Sequence, residues 1–425
     1  MIGLFFFVPV LLFFMSCSGD LDYINPADRL SNGVVADLSS SSSEGNSSSS
    51  SDGEVSSSSS SFHSLVKSPY PHGNKAITTV TEQNKASGKL KEKFEKFIGD
   101  FYSEGTCGKT IPCANIAIPG TNEGYAYTYT LSQSIGDAMI MMVYFSDNNK
   151  SYQSKFDKLW AYYNYWKNGN GLMRSVVYGY EKDGDYDISN SKSASGADLD
   201  VAVALVMAGH QFGDNKYIDD AKGLITRIRQ YEIMNNLNLL KTNDVDDVVS
   251  VGYISPAAFQ IFNDLLPSQN WSSILPKNYS HLEESQDKKT KLFSDIHIHE
   301  YYYSMNDLRV PWRLAWANAW FGHTQAKDML SSLAEVVKSN SAADIKCNII
   351  KGEYDLKFTS IDRSYCLSSL MSALTVEPSY RDRLDQYWNH LTSTSAGYND
   401  NYEDFAMQIL TGLLVTGNMP NLMEP

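Results

Sequence analysis

Ala194-Ser195-Gly196-Ala197-Asp198-Leu199-Asp200-Val201-Ala202-Val203-Ala204-Leu205 opens on small and acidic residues and then turns almost wholly apolar. Apolar residues at three- and four-residue spacing predict a helix over 199–211. An Asp just ahead of such a run suits a cap or first-turn charge, stabilising N–H groups that lack a partner in the helix. Outward from this run the same spacing recurs over 90–101, 127–145, 155–166 and 217–234, then over 255–265, 311–321, 327–338, 364–374 and 403–416. In the first of these Leu90, Phe94 and Phe97 share a face. Alternating β-branched runs are rare, and 246–251 is one weak case. Long polar loops bearing aromatics join the helices, which is an all-α pattern. Helix pairs wound into a barrel would bury one face of each, and the loops at one end would form a cleft.

Not all of the 425 residues belong to this pattern. Residues 1–16 form an apolar run with Phe5, Phe6, Phe7, Phe13 and Phe14, ending at Phe14-Met15-Ser16-Cys17. It is shorter than the roughly 20 apolar residues of a membrane span, and it lacks a charged start. A small residue followed by Cys fits a lipoprotein signal, with Cys17 lipidated and tethering the protein to a membrane; an ordinary signal peptide with a chance Cys is the other reading. Residues 17–68 are low in complexity: 39–43, 47–51 and 56–61 are pure serine, broken by Glu44, Asp52 and Glu54. Such a stretch has no apolar surface to offset chain entropy and predicts a flexible tether. From 69 to 425 the composition is ordinary and aromatic-rich. No second linker divides these residues, about 355 in all, so one domain is expected.

The net charge of −14 argues against nucleic acid, whose phosphates need a basic surface. Beyond Cys17, four cysteines fall as two local pairs, Cys107/Cys113 and Cys347/Cys366. In an exported protein two short-range disulfides are plausible, against four buried thiols. His297, His299 and Glu300 lack a third well-spaced ligand, so no metal is expected. No phosphate loop, dinucleotide motif or serine-nucleophile elbow is found, and no cofactor is called for.

Three further segments carry chemistry. In Thr121-Asn122-Glu123-Gly124-Tyr125-Ala126-Tyr127 the aromatic neighbours would partly desolvate Glu123 and raise its pKa, as a general acid near neutral pH requires; a surface or capping Glu is the plainer alternative. In 194–205, Asp198 is either a helix-start charge or a site residue. In Tyr301-Tyr302-Tyr303-Ser304-Met305-Asn306-Asp307-Leu308-Arg309-Val310-Pro311-Trp312-Arg313, aromatics beside Asp and Arg suit sugar binding. The alternative is a helix entry with Pro in its first turn and a structural Arg.

Taken together these segments resemble glycoside hydrolase family 8, in that family's order along the chain. Asn122-Glu123-Gly124-Tyr125-Ala126-Tyr127 is similar to the family's Ser-Glu-Gly-x-Gly-Tyr-Gly acid motif. Phe156-Asp157-x-Leu159-Trp160 and Asn170-Gly171-Leu172-Met173 resemble the next helix and its exit. Residues 194–212 match the long family signature at most positions. Tyr253-Ile254-Ser255-Pro256-Ala257-Ala258-Phe259, residues 307–313 and the closing helix from Tyr402 to Gly417-Asn418 match later blocks. The resemblance implies an (α/α)6 barrel and an inverting reaction. One carboxylic acid protonates the leaving oxygen while a carboxylate, about 6.5–9.5 Å away, activates water.

By that resemblance Glu123 is the acid. The commonest family pattern has an Asp base three residues before the Arg matching Arg309, but here that position is Asn306. A subgroup that includes chitosanases and lichenan-cleaving enzymes also has Asn there and looks to a Glu in the preceding loop. In this chain Glu283, Glu284 and Glu300 precede it, and Glu300 and Asp307 are the leading candidates. The signature's first Asp, which helps hold the distorted sugar, is Gly196, while Asp198 keeps the second. Ser175 and Met305 replace a common Trp and Tyr. Tyr127, Asp198, Tyr253, Asn306 and Arg309 are expected to bind substrate, with core packing as the other reading for Tyr127, Tyr253 and Arg309.

The expectation is therefore an endo-acting hydrolase of β-1,4- or mixed-linked glucan, with xylan or chitosan as narrower rivals. It would be exported, lipid-anchored at the outer surface or in the periplasm, and monomeric. The rival from another class is a degenerate glycan-binding lipoprotein.

Overall fold

The computed structural model describes residues 67–72, 77–122, 125–179, 191–297, 300–302, 307–342, 363–393 and 401–424; at 121, 122, 125, 295–297, 300–302 and 363 it describes the backbone only. Among these residues twelve α-helices alternate between two kinds. Six are the more deeply buried: α2 (Ser132–Phe145), α4 (Ser195–Phe212), α6 (Pro256–Leu265, whose last turn emerges), α8 (Val310–Phe321), α10 (Arg363–Ala373) and α12 (Tyr402–Val415). In α4 every residue but His210 is buried, the mark of a helix enclosed by others. The other six bury one stripe: α1 (Gln83–Phe101), α3 (Gln153–Tyr165), α5 (Asn215–Tyr231), α7 (Ile274–Ser285), α9 (Thr324–Val337) and α11 (Arg381–Ser393). In α5 that stripe is Tyr217, Ala221, Leu224, Ile225 and Ile228.

The packing order gives the architecture. The first kind pack in sequence, α2 on α4, α4 on α6, α6 on α8, α8 on α10 and α10 on α12, and α12 returns to α2 to close the ring. Each of the second kind backs one inner helix: α3 lies on α2, α5 on α4, α7 on α6, α9 on α8, α11 on α10 and α1 on α12. This is an (α/α)6 barrel, as expected. Its tightest inner contact, α2 against α4, passes through Gly136, where a Cβ would stand 3.0 Å from Asp200 Cβ and 3.2 Å from the Ala197 carbonyl.

Four small antiparallel sheets decorate the barrel. β1 (Tyr102–Cys107) pairs with β2 (Ile111–Ile116), and the Cys107–Cys113 disulfide crosses this hairpin. β3 (Ile118–Asn122), β4 (Tyr125–Leu131) and β5 (Val176–Tyr178) form one sheet that runs directly into α2. β6 (Ile233–Met234) pairs with β7 (Leu239–Leu240), and β8 (Asp295–His297) with β9 (Glu300–Tyr302). Cys366 is also disulfide-bonded, while Cys347 and Cys17 lie outside the described residues.

Three local expectations are corrected. The helix predicted from 127 starts at Ser132, because Tyr125-Ala126-Tyr127-Thr128-Tyr129-Thr130 alternates and pairs with β3 and β5. The weak strand at 246–251 is a loop, closed by the Thr242 N–H donating to the Val248 carbonyl (2.7 Å). Helices α7 and α11 were not anticipated. α11 buries only Leu384, Tyr387, Trp388 and Leu391 beneath a strongly polar face.

Before the first helix, residues 67–72 lie against the C-terminal ends of the inner helices. The Tyr70 N–H donates to the Ser146 carbonyl and the Lys67 N–H to the Gln211 carbonyl. The His72 ring bonds the Tyr144 carbonyl at 2.8 Å.

Candidate active site

The opposite end of the barrel gathers the first turns of the inner helices, and a buried charge network fastens them. Asp137 of α2 and Arg309, which leads into α8, form a two-pronged ion pair at 2.9 and 2.8 Å. Asp200 of α4 and Arg313 of α8 form a second, at 2.7 and 2.8 Å. Gln133 Nε2 donates to both carboxylates, at 3.0 Å to Asp137 and 2.8 Å to Asp200. The Tyr402 hydroxyl, at the start of α12, donates to Asp137 as well. Arg313 Nε donates to the Gly252 carbonyl at 3.1 Å, fixing the 3₁₀ turn Val251–Tyr253 ahead of α6. Fork-to-fork Arg–carboxylate pairing combines charge with fixed geometry. Burial opposes the Arg309 charge, but Asp137 outweighs it and holds the guanidinium protonated. The network thus fastens the starts of α2, α4, α8 and α12 and the turn ahead of α6 to one another.

One wall of this end is the β3–β4–β5 sheet. Tyr127 lies partly exposed, with its ring 6.0 Å from that of Tyr178 and 6.2 Å from that of Tyr129. It folds across Gly120, its cross-strand partner, where a Cβ would stand 2.8 Å from the ring. An aromatic face of this kind offers stacking surface to the apolar side of a sugar ring. The Tyr129 hydroxyl is pushed up to about 12, by burial first and then by the charge of Glu403. Glu403, in the first turn of α12, is thus a further partly exposed carboxylate at this end. Sequence reading took this segment only as a closing helix and missed Glu403, Asp137, Tyr129 and Tyr178. The alternating tyrosines from 125 are the available signal for Tyr129.

The expected site residues fall into three groups. Glu123 and Asn306 lie outside the described residues, and Glu300 is described in its backbone alone, as the first residue of β9. Asn122 and Tyr125, which flank the Glu123 position, are paired across β3 and β4. Tyr127 and Tyr253 are partly exposed at the candidate site. Asp198, Asp307 and Arg309 are buried. Arg309 differs from a subsite-lining side chain because both ends of its fork are committed to Asp137. Asp198, on the first turn of α4, accepts from the Tyr163 hydroxyl rather than facing a cleft. Asp307 is 1% exposed in the turn into α8. Glu283 and Glu284 are exposed on the last turn of the outer helix α7.

The most telling departure is at Gly196. A Cβ there would stand 2.6 Å from Tyr253 Cδ1 and 3.0 Å from its Cγ. The Tyr253 ring therefore occupies the space a side chain at 196 would need.

The model for glycosyl hydrolases family 8 matches residues 92–342, more than half of the chain. The chain belongs to glycosyl hydrolases family 8. The match runs from the middle of α1 through α9 and takes in every strand named above. Endoglucanase 2 of Ruminiclostridium josui is 26% identical over 312 residues, covering 69% of this chain and 65% of that protein. Endoglucanase A of Acetivibrio thermocellus is 24% identical over 310 residues, covering 69% and 63%. The chain thus spans less than two thirds of the length of these relatives. Among solved structures, a β-1,3-1,4-glucanase from Paenibacillus sp. X4 superposes with a TM-score of 0.69 at 17% identity, covering 82% of this chain and 98% of that one. A reducing-end-xylose releasing exo-oligoxylanase superposes with a TM-score of 0.64 at 14% identity, covering 80% and 95%. The barrel fold is therefore shared well beyond the reach of sequence identity.

Proposed function

We propose that this chain is an inverting, endo-acting glycoside hydrolase that cleaves β-1,4- or mixed-linked glucan. Membership of family 8 carries the reading, and the tyrosine-faced sheet beside the Glu123 position supports it. Glu123 is the general acid that protonates the leaving glycosidic oxygen. A second carboxylate, Glu300 or Asp307, takes a proton from the water that attacks the anomeric carbon from the other face. The names of the relatives, endoglucanases and a β-1,3-1,4-glucanase, favour glucan over xylan or chitosan. Tyr127 and Tyr253 contact the sugar, and Asn306 bonds a hydroxyl beside the base. Arg309 acts from behind, by holding Asp137 and the start of α8.

We also propose that the mature chain is exported and anchored through lipid on Cys17, with residues 17–68 as the tether and 69–425 as the catalytic domain. Metabolic labelling with a fatty acid, in wild type and Cys17→Ser, tests the anchor: label on wild type alone is expected, and equal labelling of both overturns it.

The Tyr253 ring over Gly196 favours a second reading, a glycan binder that has lost turnover. Reducing-sugar release from carboxymethylcellulose, lichenan, xylan and chitosan separates the two. Hydrolysis abolished by Glu123→Gln supports the enzyme. Retained binding without release, in a gel-shift on the same polysaccharides, supports the binder.

A further inference from the structure

Behind the start of α4 lies a pair of carboxyls that no step above uses. Asp198, in the first turn of α4, and Glu232, at the C-terminal cap of α5, are both 0% exposed. Asp198 Oδ1 accepts from the Tyr163 hydroxyl and Glu232 Oε1 from the Ser193 hydroxyl. The other oxygen of each, Asp198 Oδ2 and Glu232 Oε2, accepts no ordinary hydrogen bond among the described groups, yet each side chain lies within hydrogen-bonding reach of the other, and Glu232 within reach of the Ser195 hydroxyl too. Two carboxylates cannot bond, since each only accepts. A single proton between them satisfies both orphaned oxygens and removes one of two desolvated charges.

The surroundings leave that proton in place. From the 241–250 loop, Asp244 adds a third carboxylate, which accepts from the Ser193 N–H at 2.9 Å and from Asn168 and Asn170 at 2.7 and 2.9 Å. From α3 comes Tyr163, kept neutral by burial. Lys167, whose charge acts on Asp198, lies over the Trp160 and Tyr163 rings, 5.0 and 5.6 Å from their centroids, and that charge is itself disfavoured by burial. Neither carboxyl makes an ion pair among the described residues.

We propose that Asp198 and Glu232 hold one proton between them, and that this shared proton positions the start of α4 beneath Tyr253 at the candidate active site. The mechanical link is short. Glu232 and Asp244 both grip Ser193, the Ser195 N–H donates to the Thr242 carbonyl at 3.1 Å, and Gly196 then meets the Tyr253 ring. Asp198 and Glu232 are positioning residues. Burial first and the charge of Glu232 second push the Asp198 carboxyl well up. Burial first, with the charge of Asp244 adding to it and hydrogen bonds from Ser193, Asp198 and Ser195 opposing it, pushes Glu232 up to about 7. Because the folded values are raised above the unfolded ones, the contribution to stability is full below the ordinary carboxylate range. It is lost as pH rises from about 4.5 through 7, by about tenfold in the folding constant per pH unit for each proton retained.

The effect on turnover rests on the glycosidase reading; the proton itself does not. The test compares the full chain with Asp198→Asn/Glu232→Gln, whose amides can bond at any pH. The ratio of the variant's folding constant to that of wild type should rise about tenfold per pH unit between pH 5 and 7. A flat ratio overturns the proposal. Infrared spectra of folded wild type at pH 6, where exposed carboxyls are ionised, should show a protonated-carboxyl band. This needs no variant, and its absence also overturns the proposal. In the activity arm, Glu232→Gln should keep its kcat/KM on mixed-linked glucan above pH 7 where wild type declines, and parallel declines overturn the positioning role. A wild type inactive at every pH overturns the glycosidase reading and leaves the first two arms standing.

Discussion

Arg309→Met removes the cation from a carboxylate that has no route to water. Asp137 is 0% exposed and Arg309 2%, and they meet through two hydrogen bonds of 2.9 and 2.8 Å. Met fills much of the space of the arginine stem. The change therefore isolates the charge, leaving Asp137 with Gln133 at 3.0 Å and the Tyr402 hydroxyl. Stripping one partner from a buried pair costs about 3–5 kcal/mol, a large part of a typical total of about 5–15 kcal/mol. For a domain of this size that is a Tm drop of roughly 4–7 °C. Because Asp137 joins α2, α8 and α12, the loss should appear in global unfolding, followed by tryptophan fluorescence in urea. The added change Asp137→Asn removes the stranded charge, so the double variant should recover at least about 1 kcal/mol relative to the sum of the singles. A single-variant loss below about 1 kcal/mol, or strictly additive changes, would refute the claim that this pair fastens the ring.

Other outcomes follow from the same structure. Gly196→Ala should cost about 1–3 kcal/mol by overpacking against Tyr253, and Tyr253→Ala in the same chain should relieve most of it; equal costs in both backgrounds would show that the ring yields freely. Burial lowers the His72 imidazole to about 4, so the folded state takes up its proton later than the unfolded chain does. Stability should fall by on the order of 2–3 kcal/mol as pH drops from 6.5 to 4, and His72→Gln should flatten that slope in an acid titration of Tm. Reducing the Cys107–Cys113 bridge, whose loop is short, should cost roughly 2 kcal/mol and leave the barrel helices intact by circular dichroism, measured on Cys107→Ser/Cys113→Ser.

The barrel was legible because helical periodicity marks a helix however it is later packed. Residues 201–208 are apolar without a break, and α4 duly lies inside the ring. Periodicity failed where the signal was thin. α11 presents four buried residues among nine polar or charged ones, and the tyrosines from 125 carry a period of two that a longer helical window absorbs. The site was legible only as motifs. Arg309 sits in an aromatic, charged segment that suits sugar binding, yet its partner Asp137 is 172 residues away. Nothing local marks Asp137 as more than a polar residue in a helix. Glu232 is hidden in the same way, since its meaning lies in Asp198, which approaches it only once α4 and α5 pack. Gly196 stood out as a departure from the family pattern, but that an aromatic ring closes the space required the fold.

Inverting hydrolysis at Glu123 leaves a stereochemical signature. The most direct measurement is proton NMR of the full chain acting on lichenan, observing the anomeric signals of the newly formed reducing ends within the first turnovers. Wild type should release reducing ends with the α-anomer appearing first, and Glu123→Gln should release none. Early β-anomer, or unchanged release by Glu123→Gln, would contradict it.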